Sequence, residues 1–312
     1  MSLLVTGSIG IDTVEAPWGK VVDALGGSSI YFAYAASFLS PVRLVGVVGG
    51  DCPPDFLRPL HENPNIDMSG LEVRPGAKTF RWHGRYQQDA NVRETVSVEL
   101  NVLAERSPEI PPGFRDSEFV FLANTHPVLQ MELLRQLGRP HLVVADTMDL
   151  WIREQREELE ELIGRIGGFV LNDAEARQWT GKADVIEAGL AIVERVGRGR
   201  ERAAEAGGGF LIIQKGEHGS LLFADRQVAA LPAFPSRRVT DPTGAGDAFA
   251  GGLMGYLAGC GMPWRTSLRR AMAYGTVTAS FALEDFSLGR LRQISRSDID
   301  SRLAEFEAML AL

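Results

Sequence analysis

The sequence predicts an α/β protein: a mainly parallel central sheet, helices on both of its faces as a third layer, and a small antiparallel β lid. Three observations carry that expectation. Short, nearly continuous apolar runs alternate with helical patterns as far as Phe223, the arrangement of βαβ units. From Gly244 onward the chain reads as mainly helical. Two stretches break the scheme, one of them alternating polar and apolar residues, which marks strands with one wet face.

The elements follow in order. Leu3–Thr6 reads as a buried strand ending at Gly7. The leading run lacks a basic segment, so it is expected to be a strand and not a signal peptide. Ile11–Val22, bounded by Gly10 and Gly26, is the first lid segment; Ser29–Leu39 is a helix and Val42–Val48 a strand. Thr79–Val102 is the second lid segment. A single domain spanning 1–312 is expected, its lid formed by roughly 11–24 and 71–103. Strands at Phe119–Ala123, Leu142–Ala145, Phe169–Leu171, Phe210–Gln214 and Ser220–Phe223 are interleaved with helices at Val128–Leu137, Ile152–Ile166 and Ala183–Val196. The charged, glycine-rich run Gly197–Gly209 reads as a solvated helix end and loop. Helices at Gly244–Leu257, Pro263–Leu283 and Ser297–Leu310 close the chain; Ser297 and Asp300 have the spacing of an N-terminal cap.

Composition narrows the function. With 312 residues the chain can bury a full core. A net charge of −8 argues against general binding to nucleic acid or to a membrane surface. The two cysteines, Cys52 and Cys260, are too few for a disulfide framework and fit a reducing cytoplasm. No apolar run reaches the roughly 18 residues needed to span a bilayer. His61, His83, His126, His141 and His218 are scattered without metal-ligand spacing.

The most informative segment is Asp241-Pro242-Thr243-Gly244-Ala245-Gly246-Asp247. Glycines opening a helix let backbone N–H groups approach an anion, and the helix dipole adds about half a positive charge there. A carboxylate at such a site would repel phosphate unless the chemistry needed it. Asp247 therefore points to phosphoryl transfer onto an alcohol, with Asp247 taking the proton. The plain alternative is a tight turn with an acid in the first helical turn, where acids are favoured anyway. Gly7 and Gly10 have the wrong spacing for a dinucleotide fingerprint, and no G-x-x-x-x-G-K-[ST] loop is present. A nicotinamide-dependent dehydrogenase is thereby disfavoured.

The run D-P-T-G-A-G-D-A-F-A-G-G resembles the C-terminal signature of the ribokinase-like (pfkB) carbohydrate kinase family. Leu25-Gly26-Gly27-Ser28 resembles that family's N-terminal Gly-Gly signature, and Val47-Val48-Gly49-Gly50-Asp51 its following strand. Asn172-Asp173-Ala174-Glu175 matches the N-x-x-E motif, and Lys215-Gly216-Glu217-His218-Gly219 lies where the family has a nucleotide-side turn. The resemblance implies a ribokinase-like fold and ATP-dependent phosphorylation of a hydroxyl on a sugar or sugar derivative, with a nucleoside as the alternative acceptor. It implies Asp247 as catalytic base and the N–H groups of Gly244, Ala245 and Gly246 as the anion hole. Asp12, Gly26, Gly27, Ser28 and Asn101 would bind the acceptor. Asn172, Glu175, Lys215, Gly216, Gly219, Thr276 and Ser280 would serve the nucleotide, Glu175 organising Mg2+ through water. Asp241 and Thr243 would hold a monovalent cation such as K+. Asn172-x-x-Glu175 is also a helix-capping pattern, and both readings hold together.

The chain departs from many relatives. Ala273-Tyr274-Gly275-Thr276 replaces an Asn-Ala-Ala run, and Ser28–Phe32 is bulkier than their small-residue run. Tyr31 and Phe32 either shape a different acceptor pocket or pack the helix on the sheet. Phe80, Trp82 and Tyr86 share one strand face. Turned inward, that face would stack a base or cover a sugar; turned outward, it would join two lids in a homodimer. A phosphorylated acceptor would need the lid arginines Arg81, Arg85 and Arg93. A catalytically silent sugar- or nucleotide-binding homologue is the competing class, and retention of Asp247 weighs against it.

Overall fold

The computed structural model describes residues 1–199 and 208–311. β1 (Leu3–Thr6) leads into β2 (Gly10–Ala16) and β3 (Gly19–Gly26), and the chain returns to the body at α1 (Ser28–Ser37). β4 (Val42–Gly49), the short α2 (Arg58–His61) and β5 (Ile66–Arg74) follow, then β6 (Phe80–Tyr86) and β7 (Arg93–Glu99). Next come β8 (Phe119–Leu122), α3 (Pro127–Gln136), β9 (Leu142–Asp146), α4 (Asp149–Glu154) and α5 (Arg156–Arg165). β10 (Gly168–Asn172), α6 (Asp173–Thr180), α7 (Val185–Val193) and β11 (Phe210–Gln214) continue the alternation. β12 (Ser220–Ala224) and β13 (Gln227–Leu231) precede the helical end, α8 (Ala245–Gly259), α9 (Trp264–Ala282) and α10 (Arg296–Leu310).

Among the described residues the main sheet has nine strands, ordered β13-β12-β11-β10-β9-β8-β1-β4-β5. Pairing is parallel from β11 through β5, and β12 and β13 add an antiparallel edge. Successive strand residues enter opposite cores, as the two-residue period of a strand requires. Leu3, Val5, Phe121, Val144 and Ile212 pack with α1, α8, α9 and α10. Leu4, Val120, Val143, Phe169 and Leu211 pack with α3, α5, α6 and α7. That two-sided burial is why these strands read as continuous apolar runs.

The lid sheet has the order β3-β2-β6-β7. Its two hairpins are antiparallel as expected, and a parallel pairing of β2 with β6, from Gly10–Phe80 to Glu15–Arg85, joins them. Residues 71–74, expected in the lid, belong instead to β5 at the edge of the main sheet. The helix expected over Ile152–Ile166 starts earlier and breaks at Gln155. Its two parts have different tasks: α5 buries Leu159, Leu162 and Ile163, while α4 carries Trp151 to the cleft. The cap of α10 is Ser295 with Asp298, not Ser297 with Asp300, because Asp300 is taken by Arg296 one turn away at 2.9 Å. The loop expected at 197–209 falls largely outside the described residues.

Candidate active site

Five adjacent parallel strands deliver a residue to one cleft at their C-terminal ends: Ser8 after β1, Asn124 after β8, Asp146 from β9, Asn172 from β10 and Gln214 from β11. Ligands of open α/β sheets bind at those ends. The cleft has a volume of about 450 Å3, and the lid forms its roof.

The turn before α8 forms one wall. Gly244 has φ 76° and caps α8, a left-handed conformation that glycine adopts without strain. The ring of Tyr31 lies against its Cα, so a side chain there would collide with it. Tyr31 therefore braces this turn besides packing α1, and it also lines the cleft. Gly244 and Gly246 line the cleft as expected. Ala245 does not: its N–H is satisfied within the turn by Pro242 O at 3.2 Å. Asp247 lines the cleft one step beyond Gly246.

The acids around it are short of partners. Burial pushes Asp247 up to about 7, and Asp12 reinforces the shift while Arg93 opposes it. Asp12, in β2, is likewise pushed to about 7 by burial, against the pull of the Gly27 N–H, and its Oδ1 has no partner. Its carboxylate fills the space where Gly26 would carry a side chain. Gly26 thus seats Asp12 and does not itself line the cleft, whereas Gly27 and Ser28 do. Ser28 exchanges hydrogen bonds with Ser8, N to Oγ at 2.9 Å in one direction and 3.2 Å in the other. Asp146 also lines the cleft with a buried, unpartnered Oδ1; burial, then Asp247, then Glu175 push it well above the carboxylate range.

At the end of β10, Asn172 and Glu175 form the expected capping box. Glu175 N donates to Asn172 Oδ1 at 2.8 Å, and Asn172 N to Glu175 Oε2 at 2.9 Å. Burial pushes Glu175 up to about 7. The orphaned Asp146 oxygen beside Glu175 suits a divalent cation, and no cluster of three His, Cys, Asp or Glu side chains could ligate one among the described residues. A lone carboxylate oxygen suits Mg2+, which keeps several of its waters.

Several expected residues stand outside the cleft. Lys215 and Gly219 close a turn on each other at 2.7 Å, with Gly216 against the lid residue Asn91. Thr276 and Ser280 are buried in α9, and Ser280 Oγ accepts from Arg302 at 3.0 Å. Asn101 does not line the cleft; its amide donates to Thr79 O at 2.9 Å, fastening the end of the lid. Asp241 Oδ1 accepts from Thr243 N at 2.8 Å, and its buried Oδ2 has no partner, which suits a monovalent cation. The Thr243 hydroxyl turns instead to Tyr86 at 3.3 Å.

The aromatic lid face, Phe80, Trp82 and Tyr86, looks inward. Of the three lid arginines, Arg81 pairs with Asp23 at 3.1 Å and Arg85 with Glu15 at 2.8 Å. Only Arg93 of the three lines the cleft; it lies over Trp82 at 5.6 Å and 3.8 Å from Asp149. The lid cluster expected for a phosphorylated acceptor is therefore not assembled, and the arginines that line the cleft are Arg93 and Arg153, both beside Asp149. Sequence reasoning missed Asp146, Thr147 and a wall of Asn124, His126 and Trp151. Their signal was position: each follows or ends a buried strand, where α/β sites form.

Residues 19–283 match the pfkB family carbohydrate kinase profile. The chain is 32% identical over 268 residues to the cytidine kinase of Thermococcus kodakarensis, covering 83% of this chain and 90% of the relative. The nucleoside kinase of Burkholderia thailandensis in complex with inosine shares the fold at a TM-score of 0.75 and 21% identity, over 97% of this chain and 98% of that one. An E. coli chain described as a Ribokinase II, solved with ATP and Mg2+, superposes at a TM-score of 0.73 and 15% identity, over 97% and 99%.

Proposed function

Because the chain belongs to the pfkB family of carbohydrate kinases, and is thus a phosphotransferase acting on a hydroxyl group, we propose that its acceptor is a nucleoside and its donor ATP. The observation that carries this reading is the inward face of Phe80, Trp82 and Tyr86, which roofs the same cleft as Asp12 and Asp247. A flat base stacks on aromatic rings. The names of the cytidine kinase and nucleoside kinase relatives support the same choice.

In this reading Asp12 accepts hydrogen bonds from the sugar hydroxyls. Asp247 accepts the proton of the reacting hydroxyl as its oxygen forms the new bond to the γ-phosphorus and the bond to ADP breaks. A base poised near 7 is matched to neutral pH. The N–H groups of Gly244 and Gly246, at the positive end of α8, stabilise charge on the transferring phosphoryl oxygens. Glu175 and Asp146 would hold Mg2+, which neutralises phosphate charge. Asp241 would hold K+ beside the turn. Arg93 adds a positive charge from the lid. With the aromatic face turned inward, a homodimer through the lids would rest on the exposed edge strand β7 alone, which sedimentation would test.

A coupled ADP-release assay across nucleosides, free sugars and sugar phosphates tests the assignment. Nucleoside turnover with a far higher kcat/KM than any sugar is expected. Preference for a free sugar would overturn the nucleoside choice and leave the kinase standing.

A further inference from the structure

The wall that sequence reasoning missed is fastened from several directions. Asn124 Oδ1 accepts from Trp151 Nε1 at 2.9 Å, and Asn124 Nδ2 reaches Met148 Sδ at 3.2 Å. His126 packs on Trp151 with ring centroids 5.0 Å apart. All four line the cleft. They stand after β8 and β9, between β1 on the acceptor side and β10 on the nucleotide side.

His126 is also the N-cap of α3: its Nδ1 accepts the Val128 N–H at 3.2 Å. A ring nitrogen that accepts carries no proton, so the hydrogen of the neutral imidazole sits on Nε2. The cap thereby makes Nε2 a donor, on the side of the ring away from α3. Nearby, Thr147 adds a buried hydroxyl without a partner to the same cleft. The wall thus joins flat rings to a donor of fixed tautomer, the requirement for reading the edge of a heteroaromatic ring.

We propose that His126 selects the base of the acceptor by donating from Nε2–H to a carbonyl oxygen of that base. The inference rests on the nucleoside reading. Adenine has no carbonyl, so cytidine- and inosine-type acceptors are favoured over adenosine. Polar pairing discriminates strongly because the mismatched partner leaves a buried group unsatisfied.

The test pairs a change in the ligand with a change in the protein. Inosine is compared with purine riboside, which lacks the 6-carbonyl, and cytidine with its analogue lacking the 2-carbonyl. His126→Asp keeps a side-chain acceptor for the Val128 N–H and has no N–H to donate; His126→Phe keeps the packing on Trp151. In the wild type, removing the carbonyl raises the acceptor KM about ten- to a hundredfold. In both variants that preference disappears, because the carbonyl nucleoside loses its donor and the analogue no longer leaves one unsatisfied, and the KM for ATP does not move. If nucleosides are turned over but the variants keep the preference, or lose both ligands equally, the base contact is wrong and the nucleoside reading survives. Adenosine preferred over both carbonyl nucleosides likewise overturns the base contact alone. Turnover of sugars with no nucleoside overturns both.

Discussion

Glu15 in the lid is held by Lys20 at 2.8 Å, Arg85 at 2.8 Å and His83 at 3.3 Å. Hydrogen bonds from Lys20, then Arg85, draw it down to about 2. Asp12, Glu175 and Asp247 in the cleft have no such partners and are driven up to about 7. The lid carboxylate is satisfied by the protein alone. The cleft carboxylates have no cationic side chain bonded to them, and under the proposed function a sugar hydroxyl, a hydrated cation and a proton in transit would satisfy them. Clustering like charges in a low dielectric destabilises the empty protein, and that cost is the usual mark of a site built for function.

The contrast can be broken most severely at the base. Asp247→Asn should lower kcat about a hundred- to ten-thousandfold in the ADP-release assay, with the fold intact by circular dichroism. Retained turnover would remove Asp247 from the proton path. Arg93→Gln tests the positive charge that the lid brings to the cleft and should lower kcat about ten- to a hundredfold. Since Arg93 holds the Asp247 pKa down, its loss should also move the acidic limb of the pH profile to higher pH. In the wild type that limb should lie near pH 7, with kcat/KM falling about tenfold per unit below it.

A milder effect is expected in stability. The native pKa of about 7 for Asp12 exceeds the unfolded value of about 3.9. Between those values the folded state binds the extra proton. The stability it lends is complete below about pH 4 and lost as pH rises through about 7. Asp12→Asn should therefore raise the melting temperature of the ligand-free protein at pH 8 and have little effect at pH 4, as read by calorimetry. Unchanged melting at both would mean the cleft acids are not strained. Smallest of all, Arg85→Gln in the lid should leave melting unchanged within error, because exposed ion pairs contribute little.

Legibility follows the same division. β1, β8 and β11 were readable because both faces are buried and their runs are unbroken. Asn172–Glu175 and Gly244–Asp247 were readable because caps and anion turns are local and need fixed residue types. β5 was not, since its residues are mostly part-exposed or exposed and its register slips between Arg43 and Val45 of β4. Ser295 and Ser297 offer equal spacing to an acid, and only the pairing of Arg296 with Asp300 decides between them. His126 was missed as a cap because histidine is not among the usual capping residue types, and the seating of Asp12 by Gly26 depends on a three-dimensional contact that no spacing records.

The parallel seam between β2 and β6 has a consequence for how the molecule assembles. The two hairpins it joins are separated in sequence by α1, β4, α2 and β5, so neither can template the other while the chain between them is unformed. Short hairpins close in microseconds, but a contact between distant segments must wait for loop closure. Lid completion should thus follow formation of its two hairpins. Amides bonded across the Gly10–Phe80 to Glu15–Arg85 seam should gain protection later than those within the β2–β3 and β6–β7 hairpins in a pulse-labelling experiment, making the seam a clock for the maturation of the cleft.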